Sequence, residues 1–197
     1  MQIVIHRVNT VAGLLELPSE FGVELDVRSA GGELILHHDP HQGGERFADY
    51  LEHYRHGLMV INIKEAGLEE EALSMVRNAG VENFFLLDVE FPYLYRAAEE
   101  GERSIAVRYS EVESMDTVKY FAGKVDWVWM DCFTHLPVKA TTKELLADFK
   151  ICLVCPERWG RPNDIPSYRE QLKRAGLEVD AIMTARGQVP AWESSGV

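Results

Sequence analysis

Short runs of apolar residues recur along the chain at residues 2–6, 22–28, 58–64, 84–89, 104–109, 126–131, 150–155 and 180–184, each the length of a strand. Most of the intervals between them carry apolar residues three and four positions apart. Residues 45–56 place Phe47, Tyr50, Leu51 and Tyr54 on one helical face, and residues 68–79 do the same with Leu68, Ala72, Leu73, Met75, Val76 and Ala79. Ser114 reads as an N-terminal cap, and Thr141-x-x-Glu144 as a capping box. Gly80, Gly101, Gly123 and Gly176 each follow a helical stretch and precede a strand by a few residues, where a helix-terminating glycine belongs. Eight strands alternating with helices, with no break in composition, predict one domain over residues 1–197, a small (β/α)8 TIM barrel. Barrels of this type typically run to about 250 residues, so some helical covers must be short or missing, the segment from Val8 to Phe21 among them. An open doubly wound sheet is the alternative architecture.

In such a barrel, catalytic groups come from the C-terminal ends of the strands, and here those ends are polar. The first strand closes on His6-Arg7. In the second, alternation puts Val23, Leu25 and Val27 on one face and Glu24 and Asp26 on the other. Two carboxylates side by side repel, so a cation or a basic side chain is expected beside them; hard divalent ions take such oxygen ligands. Gly31-Gly32 reads as a turn and Leu34-Ile35-Leu36 as a short return strand, which brings His37-His38-Asp39-Pro40 back toward the carboxylates. The third strand ends in Asn62-Ile63-Lys64, the fourth runs into Asp88-Val89-Glu90, the fifth into Arg108, and the sixth carries Trp127 and Trp129 on one face, to fill the core or line a substrate pocket.

Composition narrows the function. Twenty basic against thirty-two acidic residues give a formal charge of −12, which argues against a nucleic-acid partner and gives no general attraction to anionic membranes. With no apolar run of about 18 residues, the reading is a cytoplasmic protein without membrane insertion. Cys132, Cys152 and Cys155 are odd in number and sit in apolar contexts, so reduced core thiols are expected; Cys152-x-x-Cys155 lacks a second Cys or His pair at metal-ligand spacing.

Taken in order, His6-Arg7, Glu24-x-Asp26 and His38-Asp39 resemble the opening signature of the glycerophosphodiester phosphodiesterases, relatives of bacterial phosphatidylinositol-specific phospholipase C. The resemblance implies metal-dependent hydrolysis of a small-molecule phosphodiester such as a glycerophosphodiester. His6 and His38 would share the proton transfers, and a divalent ion, Mg or Ca, would sit on Glu24, Asp26 and strand three. Arg7, Lys64 and Asp39, with Trp129, would bind substrate or orient the groups that do. An unperturbed imidazole pKa of about 6.5 suits one histidine as base and the other as acid.

Strand three departs from that signature. Where the family usually carries a third metal-binding carboxylate, two residues before the lysine, this chain has Asn62, which brings no charge. Only 23 residues separate His38 from Asn62, so the family's usual helical insertion is absent. Asp88 or Glu90 is a candidate replacement ligand. Two other functions fit the same residues: a degenerate barrel that binds a phosphorylated small molecule without turnover, and an unrelated barrel enzyme using Lys64 as a Schiff-base amine.

Overall fold

The computed structural model describes residues 1–193. All eight expected strands are present. They are β1 (Gln2–Ile5), β2 (Gly22–Ala30), β5 (Met59–Ile63), β6 (Phe84–Leu87), β7 (Ala106–Tyr109), β8 (Trp127–Met130), β9 (Lys150–Val154) and β10 (Ala181–Thr184), with β3 (Glu33–Leu36) and β4 (Glu45–Arg46) as an added antiparallel pair after β2. The expected return strand is β3; β4 is two exposed residues that carry no strand pattern.

Residues 4–96 form one compact unit. Its parallel strands run in the order β1, β2, β5, β6, and the upper half of β2 pairs instead with β3. The apolar side chains of β2, Val23, Leu25 and Val27, are fully buried, as are those of Val60 and Ile61 on β5. Register then decides the site: Glu24 pairs with Val60 and Asp26 with Asn62, so the carboxylates of β2 and the amide of β5 stand on one face. Gly22 opens β2 where a Cβ would lie 2.5 Å from the Leu58 carbonyl, so no larger residue fits that approach. The helices of this unit are α1 (Val11–Leu15), α2 (Phe47–His53) and α3 (Glu69–Asn78), followed by the start of α4 (Phe91–Glu99). The helix expected over 45–56 is shorter because its first two residues pair as β4 and Tyr54 takes extended backbone, its hydroxyl donating to Gly57 O at 2.8 Å.

Residues 1–3 and the described residues from 97 to 193 form the second unit. Here β7, β8, β9 and β10 are parallel and in chain order, and Gln2 N donates to Asp180 O at 2.7 Å. Its helices are α5 (Met115–Phe121), α6 (Thr142–Leu145), α7 (Ile165–Ala175) and α8 (Val189–Glu193). Ser114 caps α5 as expected, accepting from Asp116 N. Thr141 makes no capping bond; the hydroxyl of Thr142 accepts instead from Lys139 N at 2.8 Å, tying the loop before α6 to its first turn. The four helix-terminating glycines, Gly80, Gly101, Gly123 and Gly176, all have positive φ. Cys132, Cys152 and Cys155 are buried thiols with no disulfide, and burial pushes Cys132 up to about 12 and Cys155 up to about 11. That is the inert core chemistry their apolar setting implies.

Candidate active site

All but one of the expected site residues lie in the unit of residues 4–96, and main-chain hydrogen bonds tie their segments together. β1 ends at Ile5, and Arg7 then adopts φ 55, a left-handed conformation uncommon for a side chain this large. That turn aims the Arg7 N–H at Glu24 Oε2, 2.9 Å away, and Val8 N returns to the Glu24 carbonyl at 2.9 Å. His37 N donates to the Asp26 carbonyl at 3.0 Å, which brings the His37-His38-Asp39 loop onto β2. Lys64 N donates to Val27 O at 3.0 Å, fixing the exit of β5 beside the same strand.

Glu24 and Asp26 are 2 % and 0 % exposed. Burial, with the Asp26 charge beside it, pushes the Glu24 carboxyl up to about 7, against the lowering effect of the Arg7 N–H, Asn62 and Lys64. Asn62 Nδ2 donates to Glu24 Oε1 at 3.0 Å, and His6 Nε2 stands 3.9 Å from Glu24 Oε2. Lys64 Nζ lies 3.1 Å from Asp26 Oδ1, a contact of charge that lacks the angle of a directed hydrogen bond. Arg7 Nε is 3.9 Å from Asp26 Oδ2. His38 Nδ1 meets Asp39 Oδ1 at 2.7 Å, which commits that nitrogen of the ring, and that bond holds the Asp39 carboxyl below the usual carboxylate range. Of the other histidines near these segments, His37 accepts from Asp39 N at 3.0 Å and the His56 ring meets Leu17 O at 3.1 Å; both are structural.

Three contributors were not anticipated from the sequence. Asn9 pairs twice with Asp26, donating from Nδ2 to Oδ2 and accepting the Asp26 N–H on Oδ1, both at 2.8 Å. Arg28 grips the main chain of His38, donating to its carbonyl from Nε at 3.0 Å and Nη2 at 2.9 Å. Glu65 holds Arg28 in turn, at 3.1 Å from Nη1, and itself accepts from Ser29 N and Oγ. Arg28 had a signal, since it continues the alternation of Glu24 and Asp26 along β2. An asparagine in a loop carries none.

The donor set does not fit a divalent cation as arranged. Calcium and magnesium surround themselves with about six to eight oxygens, carboxylates foremost. Here all four carboxylate oxygens face nitrogens of Arg7, Asn9, Asn62 and Lys64, and the Lys64 ammonium and Arg7 guanidinium both stand beside Asp26. Asn62, expected as a ligand, turns its amide N–H to Glu24; its Oδ1, buried and without a hydrogen-bond partner, is the uncommitted oxygen beside the pair. Asp88 and Glu90 are exposed beyond β6, and among the described residues no three His, Cys, Asp or Glu side chains form a group that could hold a metal. Asp88 has φ 57, a left-handed conformation.

Trp129 is the expected site residue outside this unit. It is buried in β8 at 4 % exposure, as is Trp127 at 5 %. In the same unit Arg108 forms ion pairs with Glu113 at 2.9 Å and Asp131 at 2.8 Å.

Solved structures with a similar fold exist. A glycerophosphodiester phosphodiesterase from Agrobacterium tumefaciens superposes with a TM-score of 0.68 over 96% of this chain and 99% of its own, at 19% identity. The chain has the fold of the glycerophosphodiester phosphodiesterases. A second protein of that bacterium, assigned as a glycerophosphoryl diester phosphodiesterase, matches at a TM-score of 0.66 and 12% identity, over 98% of this chain and 96% of its own. No family model and no curated protein matches the sequence. The small (β/α)8 architecture of the phosphodiesterase fold thus spans nearly the whole chain, with four parallel strands in chain order in each unit.

Proposed function

We propose that this chain hydrolyses a small phosphodiester by general acid–base catalysis between His6 and His38. The observation that carries this reading is that, within one compact unit, Arg7 N–H bonds the Glu24 carboxylate and His37 N–H bonds the Asp26 carbonyl, so the His6-Arg7 turn and the His37-His38-Asp39 loop are both tied to the strand of Glu24 and Asp26. One histidine takes the proton from a substrate hydroxyl next to the phosphate. That oxygen bonds to phosphorus, the bond to the leaving alcohol breaks, and the other histidine gives the leaving oxygen its proton. The same pair, with roles exchanged, then adds water to open the cyclic phosphate. Glu24, 3.9 Å from His6 Nε2, stabilises the imidazolium when it forms, and Asp39 does the same for His38 while fixing its tautomer. Arg7 and Lys64 supply positive charge where the phosphoryl oxygens gain negative charge.

The substrate this reading favours is a water-soluble glycerophosphodiester met in the cytoplasm. Its free hydroxyl beside the phosphate is what the cyclising step needs, and a chain of formal charge −12 is not drawn to anionic bilayers. No helix among the described residues is long and apolar enough to cross a membrane. A second reading, binding without turnover, is favoured by one observation, the uncharged Asn62 on β5. Incubation with glycerophosphocholine, followed by phosphorus NMR, decides between them. Turnover through a cyclic glycerophosphate, lost by a factor of about 10² to 10⁴ in His6→Ala and in His38→Ala, is the expected result. Full activity in both variants would sink the mechanism, and glycerol phosphate binding without any turnover would favour the second reading.

A further inference from the structure

We propose that this site takes the phosphate of its ligand without a divalent cation: Lys64 and Arg7 supply the positive charge, and Asn62, with Lys64, shuts a cation out. This deepens the phosphodiesterase reading, on which only its activity measurement rests.

Seating an ion between Glu24 and Asp26 requires displacing groups that are already held. On Asp26, the Lys64 ammonium stands 3.1 Å from Oδ1 and the Asn9 amide donates to Oδ2 at 2.8 Å. Asn9 cannot leave cheaply, because its Oδ1 also accepts the Asp26 main-chain N–H. On Glu24, Oε1 takes the Asn62 amide and Oε2 takes the Arg7 N–H, which the left-handed turn at Arg7 aims there. With the Lys64 ammonium and the Arg7 guanidinium both beside Asp26, an entering dication meets no net negative charge to offset the loss of its water shell. The direct cations lie at the edge of the buried pair: the Lys64 side chain is 18 % and the Arg7 side chain 42 % exposed, so both heads can reach a ligand phosphate while Glu24 and Asp26 stay buried beneath them.

Calorimetric titration with magnesium chloride and with calcium chloride alone tests this. The wild-type chain is expected to bind neither ion more tightly than about 1 mM, the weak end of oxygen-ligand calcium sites. Asn62→Glu combined with Lys64→Met adds a carboxylate and removes the ammonium, and is expected to bind calcium at least about tenfold more tightly than the wild type. Wild-type binding of either ion below about 1 mM overturns the proposal. A double variant that melts cooperatively yet gains no calcium affinity overturns the roles given to Asn62 and Lys64; if it does not fold, Asn62→Glu alone, with a smaller gain in the same direction, decides. Hydrolysis of glycerophosphocholine is expected to proceed equally in chelator and in calcium, and stimulation by calcium overturns the proposal. A chain that turns over nothing in either condition refutes the phosphodiesterase reading, and the titrations still decide the cation question.

Discussion

Glu24→Gln is expected to stabilise the protein, and only above acid pH. In the folded chain the Glu24 carboxyl is pushed from its ordinary 4.5 up to about 7 by burial and by Asp26, so the fold holds a proton that the unfolded chain releases. Below about pH 4.5 the group is neutral in both states and contributes nothing. From pH 4.5 to 7 the unfolded chain ionises while the folded one resists, so stability falls as pH rises, and above about 7 the full cost of burying the charge is present. At 1.36 kcal/mol per pH unit that cost is about 3 kcal/mol. Glutamine removes the charge and keeps an oxygen for the Arg7 N–H. Its amide nitrogen can be met by Asn62 Oδ1, buried without a partner in the wild type, once the Asn62 amide rotates. The variant should therefore melt close to the wild type at pH 4 and roughly 6 to 12 °C above it at pH 8, for a chain of this size. Calorimetric melts of both proteins from pH 4 to 9 measure the difference. A gap that does not change with pH, or a variant less stable at pH 8, would refute the argument that Glu24 is a buried carboxyl held against its charge.

Arg28→Ala should leave the histidine side chains intact while freeing the His38 main chain, so kcat for glycerophosphocholine should fall about tenfold or more with a smaller change in KM; Arg28→Lys, which cannot make both bonds to one carbonyl, should recover only part of it. An unchanged kcat in Arg28→Ala would show that the loop holds itself. Gly22→Ala puts a Cβ 2.5 Å from Leu58 O and should lower stability by about 1–3 kcal/mol in chemical denaturation, whereas a neutral result would mean the β2–β5 spacing can yield there.

The eight strands were legible because each is an apolar run closed by polar residues, and because glycines with positive φ mark where the intervening helices stop. The site was legible in its residues and their order, since alternation along β2 alone puts Glu24 and Asp26 on one face. What the sequence does not carry is the direction of short polar side chains. Asn62 stands opposite Asp26 in register, as its place on strand three implies, yet whether its oxygen or its nitrogen meets Glu24 depends on the charges around it. Asn9 substitutes for main chain where β1 has ended, a role any loop asparagine could have or lack. Thr141 failed as a cap for a related reason: two adjacent threonines offer equivalent hydroxyls, and the local turn chose Thr142.

Arg28 binds the carbonyl of His38 and leaves the imidazole alone. Position and orientation are thereby set separately at this residue. The peptide is anchored to β2 through Arg28, while the ring is oriented by its bond to Asp39. With two histidines at work, each ring keeps to its own oxygen, taking a proton there in one half of the reaction and returning one in the other, so a pivot held by Arg28 serves both halves and the exchange of roles needs no opening of the site.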